Sequence, residues 1–320
     1  MLSYLYGGED DSPDLRNSPY HLWLNALLRR GSLDKAPRMI DYWLYQMGIF
    51  LTSLLPRSAS YCLADLFGFA AYYLLRRKRA ILRSNLEMVL SGERLKDKVL
   101  RKVFYNYAHY YATLFQFFRL KDEDIAYLVE VKGEEWLEEA LKAGRGVILI
   151  TSHLGHWDLG GAALARRFKV NVVAEKLPSE RLFNLFTRFR THQGMKVIAG
   201  AKALRRLYVA LKCNEVVIIL GDRDMDGRGI LLPFFGRATT MPKGAAVLAR
   251  TTGAIVLSGF IVKEEGKEHY TCFVEEEIPI SKTNDKKSDL ELNTSRIVKV
   301  IEDQIRRYPD NWYMFQPIWK

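Results

Sequence analysis

The spacing of hydrophobic residues changes character partway along this chain. Over residues 21–125 apolar positions recur at helical intervals: Tyr20, Leu24, Leu27 and Leu28 form one stripe, Met39, Trp43, Met47 and Phe50 another, and Pro56 interrupts them. Val99 to Leu120 is dense in aromatic residues, and Phe104, Tyr107, Tyr110, Tyr111 and Phe118 cover more than one face. Such a helix is expected to be buried, the alternative being that part of it faces lipid or an acyl chain. Beyond residue 125, strand-like runs alternate with amphipathic segments. Strands are expected over 125–132, 147–150, 170–174, 195–198, 216–220, 254–262 and 270–274. Helices are expected over 134–143, 182–192, 202–212, 245–251 and 291–307, with one more running through Leu164 to Arg167. This alternation predicts an α/β fold, a mixed sheet flanked by helices. Three regions follow: an acidic leader over 1–20, a helical region over 21–125 and an α/β domain over 126–320. Residues 282–288 read as a solvated loop.

The apolar run Val147–Ile150 ends in a polar turn that holds Thr151, Ser152, His153, Gly155, His156 and Asp158. The C-terminal end of a strand is where open α/β sheets place their sites. His153 and Asp158 are five positions apart, which on a regular helix separates side chains by about 140°. They can meet only if the segment between them is a turn, which Gly155 permits. His153 is then a candidate general base, with Asp158 holding its tautomer. No Gly-x-Ser-x-Gly and no nearby cysteine nucleophile occurs, so direct attack by a substrate hydroxyl is expected. A metal site using His153, His156 and Asp158 is the rival, but the spacing is not that of helical zinc motifs. A second acidic turn, Asp222-Arg223-Asp224-Met225-Asp226-Gly227, follows the strand Val216–Leu220 and could face the same crevice. It begins like a calcium loop but has Pro233 where the bidentate Glu belongs. It also imitates the metal-holding D-x-D of sugar-nucleotide transferases. Between the two turns lie Lys176, Arg181, Arg188 and Arg190. Arg188 and Arg190 cannot share one helix face, so one of them is expected to grip phosphate in the crevice. His156 and Trp157 are expected to shape the acceptor side.

Charge and composition narrow the partners. Lys plus Arg number 48 against 37 Asp plus Glu, a formal net charge of +11. That excess suits nucleic acid, acidic lipid or a phosphorylated substrate. The three cysteines, Cys62, Cys213 and Cys272, form no CxxC and read as reduced core thiols. The first residues carry no basic n-region, so no signal peptide is expected. Tyr42 to Leu55 offers 14 uncharged residues, short of the ~18–20 a spanning helix needs. Ser58 to Leu75 is broken by Asp65. Each stretch is followed by cations, Arg57 and then Arg76-Arg77-Lys78-Arg79, so a membrane-interfacial position is the alternative to packing on the core.

The string from His153 to Asp158 fits the H-x4-D/E signature of the glycerolipid acyltransferase superfamily. With the GDRD turn, Leu232-Pro233-Phe234-Phe235-Gly236, Met241-Pro242, Leu248–Ala254 and Tyr308-Pro309-Asp310-Asn311-Trp312, the chain resembles the late lipid A acyltransferases of lauroyl and myristoyl type. That grouping also holds the phosphatidylinositol mannoside acyltransferases. The resemblance covers the chain from about residue 40 onward. It implies acyl transfer from an acyl-carrier-protein or coenzyme A thioester to a hydroxyl of an anionic membrane glycolipid, with no cofactor, no resident metal and no nucleic-acid partner. It further implies a peripheral position on the cytoplasmic face of a bacterial inner membrane. His153 would be the base with Asp158 as its partner, Asp222 or Asp224 the second acidic position, and Arg190 the basic residue between the clusters. Three departures concern the acceptor rather than the chemistry. Asp158 stands where many lipid A enzymes have Glu, the turn reads Asp-Arg-Asp as in the mannoside enzymes, and His156 precedes Trp157 in place of Asn. The acceptor is therefore read as a lipid A-type or related glycolipid, with a phosphatidylinositol mannoside as the alternative. Two other classes are a metal-dependent hydrolase or glycosyltransferase using Asp222 and Asp224, and a non-catalytic membrane-surface protein.

Overall fold

The computed structural model describes residues 37–90, 95–175, 177, 179–200, 202–225, 227–263 and 269–319, with side chains from Tyr42 onward. The acidic leader, the stripe over 20–28, the side chain of Met39, Lys176 and Asp226 lie outside the described residues. Four helices come first among those described: α1 (Pro37–Leu54), α2 (Arg57–Leu74), α3 (Arg76–Val89) and α4 (Asp97–Phe115). Then follow α5 (Asp122–Leu128), β1 (Val129–Lys132), α6 (Glu134–Lys142), β2 (Val147–Thr151), α7 (Trp157–Leu164) and β3 (Val170–Val173). Next come α8 (Glu180–His192), β4 (Lys196–Ile198), α9 (Ala203–Lys212), β5 (Val216–Leu220), β6 (Ile230–Phe234) and β7 (Arg237–Met241). The chain continues with α10 (Gly244–Thr252), β8 (Ile255–Lys263), β9 (Tyr270–Glu277) and α11 (Lys286–Arg307).

Seven strands form one sheet in the order β1-β9-β8-β2-β5-β3-β4. All neighbours are parallel except β8 and β9, so the sheet is mixed and flanked by helices, as the alternation of patterns predicts. The central strand β2 is buried at all five positions, which explains why it reads as an unbroken apolar run.

Four stretches differ from the sequence reading, and the first is the helix expected through Leu164 to Arg167, which ends at Leu164. The strand expected over 125–132 starts only at Val129. Asp122, Glu123 and Asp124 sit in the first turn of α5, where negative charge is favoured, and Asp124 Oδ2 accepts from the Lys121 N–H at 3.0 Å. The hairpin β6–β7 carries no clear alternation, but its turn residues Phe235 and Gly236 both have positive φ (52° and 80°), as a tight two-residue hairpin turn requires. The loop expected over 282–288 becomes helix at Lys286, because Asp285 caps α11 by accepting from the N–H groups of Lys287 and Ser288. Two of the three cysteines, Cys62 and Cys213, are exposed rather than in the core, and all three are free thiols.

The aromatic helix α4 is mostly buried. Its Phe104 and Tyr107 rings lie 5.0 Å from Phe315, and Tyr107 lies 5.1 Å from Tyr313. Asn85 on α3 donates its amide to the carbonyls of Met314 (2.8 Å) and Gln316 (2.7 Å). The segment that follows α11 is thereby held between the N-terminal helices and the sheet. It also forms the floor of the turn after β2: Trp312 bridges Leu154, the Asn311 carbonyl accepts from Gly155 N–H (2.8 Å), and the His153 carbonyl accepts from Tyr313 N–H (2.9 Å).

Two residues shape this turn. Gly155 has φ 59°, and a Cβ built on it would lie 1.9 Å from the Ile261 carbonyl oxygen, so only glycine fits. His156 is the N-cap of α7, its Nδ1 accepting from the Leu159 N–H at 3.2 Å. It is fully buried, between Tyr110 and Phe117. Burial opposes the charged ring and pushes its pKa down to about 3, although Asp158 nearby favours the cation.

Gly155→Ala should destabilise the fold by about 3 kcal/mol or more, read as a lower denaturation midpoint at unchanged m-value. The pKa of His156 is lower in the folded chain than in the unfolded one, so its contribution is full above the ordinary value near 6.5 and falls as pH drops towards 3. Between these values stability should decline with a slope approaching about 1.4 kcal/mol per pH unit. Chemical denaturation of the parent and of His156→Asn, which keeps a capping oxygen but does not titrate, should show the slope only in the parent between about pH 6 and 5.

Candidate active site

The site follows from strand register. Thr151 of β2 pairs with Leu220 of β5, and Gly221 N–H donates to the Thr151 carbonyl at 2.8 Å. His153 stands two residues beyond Thr151, and Asp222 two beyond Leu220. The two turns singled out in the sequence thus leave the sheet side by side. Asp222 is 0% exposed and accepts three hydrogen bonds. Its Oδ1 lies 2.8 Å from His153 Nδ1, and its Oδ2 accepts from the His153 backbone N–H (3.0 Å) and from Trp312 Nε1 (2.9 Å). Burial opposes the carboxylate, but the His153 ring and the donors around it outweigh burial and hold its pKa below the ordinary 3.8.

A carboxylate at Nδ1 fixes the neutral tautomer that carries its proton there, which leaves the Nε2 lone pair as an acceptor. The His153 side chain keeps 10% of its surface exposed and makes no second side-chain hydrogen bond among the described residues. The Trp157 ring lies 5.2 Å away, edge to face.

The carboxylate at the His153 ring is Asp222, where the sequence suggests Asp158. Asp158 does not hold the His153 ring. As the second residue of α7 it points between α4 and α8, where Arg190 Nε donates to its Oδ1 at 2.6 Å and the Tyr110 hydroxyl to its Oδ2 at 2.6 Å. The pair is almost wholly buried. Desolvation again opposes the charge, and Arg190 and Tyr110 overcome it, so the Asp158 pKa also lies below 3.8. The geometric reason is the one that made the sequence reading conditional. The turn ends at His156, so Asp158 is already helical and faces away from His153.

The other expected residues are placed as follows. The Arg190 guanidinium is committed to Asp158 rather than open to a phosphate in the crevice. Arg188 is on the exposed side of α8, its guanidinium 5.4 Å from the Phe118 ring. Asp224 closes its own turn by accepting from Gly229 N–H at 2.8 Å. His156 is fully buried as the cap of α7. His153, His156 and Asp158 therefore serve three different partners, and among the described residues no three His, Cys, Asp or Glu side chains converge as a metal-binding set. Sequence reasoning missed Tyr110 and Trp312 as site residues, and also Arg223, whose guanidinium reaches Gln316 and Glu175. Trp312 stood in the terminal motif and Tyr110 in the aromatic helix, but neither type of residue announces a carboxylate partner.

Comparison with known proteins fits this geometry. Residues 31–320 match the model of the family described as bacterial lipid A biosynthesis acyltransferase. The phosphatidylinositol mannoside acyltransferase of Mycolicibacterium smegmatis is 28% identical over 283 residues, 86% of this chain and 90% of that protein. The protein of the same name from Mycobacterium tuberculosis is 28% identical over 290 residues, 87% of this chain and 88% of its own length. The lipid A biosynthesis palmitoleoyltransferase of Escherichia coli is 26% identical over 281 residues, 85% of this chain and 89% of that protein. With nearly its whole described length covered by the family model, the chain belongs to the bacterial lipid A biosynthesis acyltransferase family and is an acyltransferase of lipid or glycolipid acceptors.

Proposed function

We propose that His153 is the general base of this acyltransferase and that Asp222, not Asp158, is the carboxylate that orients it. The observation that carries the reading is the buried Asp222 carboxylate bound to His153 Nδ1 while Nε2 stays open. In the proposed reaction Nε2 takes the proton of an acceptor hydroxyl as its oxygen attacks the thioester carbonyl. A tetrahedral intermediate forms; the carbon–sulfur bond then breaks, and the leaving thiolate regains a proton from the imidazolium. Acyl carrier protein or coenzyme A would carry the thioester. Asp222 stabilises the imidazolium that exists between the two proton transfers. The Asp158–Arg190–Tyr110 cluster is assigned a supporting task, locking α7 and α8 to α4 around the turn.

Of the two acceptor classes left open by the sequence, a mannosylated phosphoinositide draws more support than a lipid A precursor. The mannoside enzymes share 28% identity against 26% for the lipid A enzyme, and Asp158 and the Asp-Arg-Asp turn point the same way.

The chain would work at a membrane surface, on its cytoplasmic face. Among the described residues no helix is long and apolar enough to cross a bilayer. Instead α1 and α2 expose Trp43 and Phe50 (both 61%), Leu66 (63%) and Leu74 (67%). An apolar cavity of about 150 Å³ opens between α1, α2 and α4, lined by Tyr45, Leu51, Ala64, Phe67, Ala108 and Phe115. Exposed apolar surface on that scale marks a contact site.

With an acyl thioester and a mannosylated phosphoinositide as substrates, His153→Ala should lower kcat by about 10²–10⁴-fold in the folded chain, which should also melt below the parent because the buried Asp222 loses one of its donors. Asp222→Asn should lower kcat by a comparable factor with little change in KM, since the amide favours the wrong imidazole tautomer. Asp158→Asn should act first on stability, costing about 3–5 kcal/mol by leaving Arg190 buried without its carboxylate. Full activity in His153→Ala would sink the base assignment, and a kcat loss in Asp158→Asn with unchanged melting would return the orienting role to Asp158.

A further inference from the structure

The C-terminal end of α2 and the first turns of α3 border a second pocket, of about 490 Å³, whose lining includes no residue of the turn that carries His153. Its basic wall follows from helical spacing. Arg76, Arg79 and Arg83 recur on one face of α3, beside the buried stripe of Leu82, Asn85, Leu86 and Val89. Arg101 closes the pocket from α4. Two of these cations are pre-set in place. Arg79 lies 4.8 Å from the centre of the Tyr72 ring and donates to the Tyr72 carbonyl at 3.0 Å, and Arg101 lies 5.7 Å from the same ring. Arg83 is held by Asp97 at 2.5 Å. Against four arginines the pocket sets two carboxylates, Glu87 and Asp97, so a cationic excess remains. Arg76 makes no ion pair among the described residues.

One rim of the pocket is apolar. Tyr73 lines it and packs on Phe69 at 4.8 Å; both are about half exposed, and their neighbour Leu74 is 67% exposed. The exposed apolar face of α2 therefore runs up to the mouth of a cationic hollow. Apolar surface and guanidinium groups in that order match the depth profile of a lipid, chain first and phosphate next. An acidic protein surface would match the arginines but not the apolar rim.

We propose that the pocket between α2, α3 and α4 binds the phosphate of an anionic lipid, with Arg76 and Arg101 as its principal contacts and Phe69, Tyr73 and Leu74 in the adjoining acyl layer. This rests on the membrane-surface reading above and adds a defined headgroup site, apart from the catalytic turn, that would fix how the chain sits on a bilayer. Arg suits the task because its planar fork meets phosphate oxygens two at a time.

Flotation of the full chain with phosphatidylcholine vesicles, with and without phosphatidylglycerol, tests it. The parent should bind the anionic vesicles more tightly. Arg76→Gln/Arg101→Gln should weaken that binding by about 25-fold, at about fivefold for each arginine, while its thermal melting stays that of the parent. Arg76→Lys/Arg101→Lys should recover part of the loss. A control pair outside the pocket, Arg77→Gln/Lys96→Gln, should change binding far less. Equal losses in the pocket and control pairs would show diffuse attraction and overturn the site. Undiminished binding by the pocket pair would overturn it too, as would displacement of the parent by about 1 mM inorganic phosphate at constant ionic strength, which would make a free anion the occupant. Failure of the parent to bind either vesicle type would instead remove the membrane-surface reading itself.

Discussion

One carboxylate without access to water governs the architecture of the site. Asp222 retains its charge because three donors converge on it, and they come from two distant parts of the chain. His153 supplies a ring N–H and a backbone N–H from the turn after β2, and Trp312 supplies an indole N–H from the segment after α11. A buried charge that loses a partner costs several kcal/mol, so each donor must be held where it is. The demands on the surrounding fold follow. β2 and β5 must pair in one register, Gly155 must turn beneath the β8 backbone, and the Trp312 segment must be pressed into place by α3 and α4. The open Nε2 of His153 is what remains after those demands are met.

The second buried charge does a different job. Asp158 and Arg190 neutralise each other between three helices, with Tyr110 completing the carboxylate's shell. An apolar trio would pack these helices at lower desolvation cost. The ionic trio has direction, however, and it fixes α7 in rotation as well as in distance. Since α7 begins at the turn that carries His153, its rotation sets the position of the imidazole. Side-chain charge is therefore used twice within six residues, once to orient a ring and once to orient the helix that follows it.

How much of this was legible from the sequence depended on the range over which each signal acts. The strand Val216–Leu220 agrees to the residue, because a central parallel strand is a continuous apolar run bounded by polar turns. His153 and the turn around it were visible for the same reason. The pairing of His153 with Asp222 required knowing that β2 and β5 are neighbours, and nothing local in either segment states that. Asp158 fits the H-x4-D pattern and a turn that Gly155 permits, and neither signal shows that the helix has already begun at Trp157. The hairpin after residue 229 escaped because its turn uses Phe235 in a left-handed conformation, where Asn or Gly would have advertised it. Tyr110 looked like one more aromatic residue in a buried helix, and only the direction of its hydroxyl distinguishes it from Tyr107.

The position of Trp312 has a consequence for the order of events in biosynthesis. The helices with the exposed apolar face are made before the strands of the sheet, and folding during synthesis generally proceeds from the N-terminal side. The indole that completes the shell of Asp222 arrives some ninety residues after Asp222 itself, and the backbone that underpins His153 arrives with it. A growing chain thus exposes the apolar face of α1 and α2 well before the shell around Asp222 and His153 is complete.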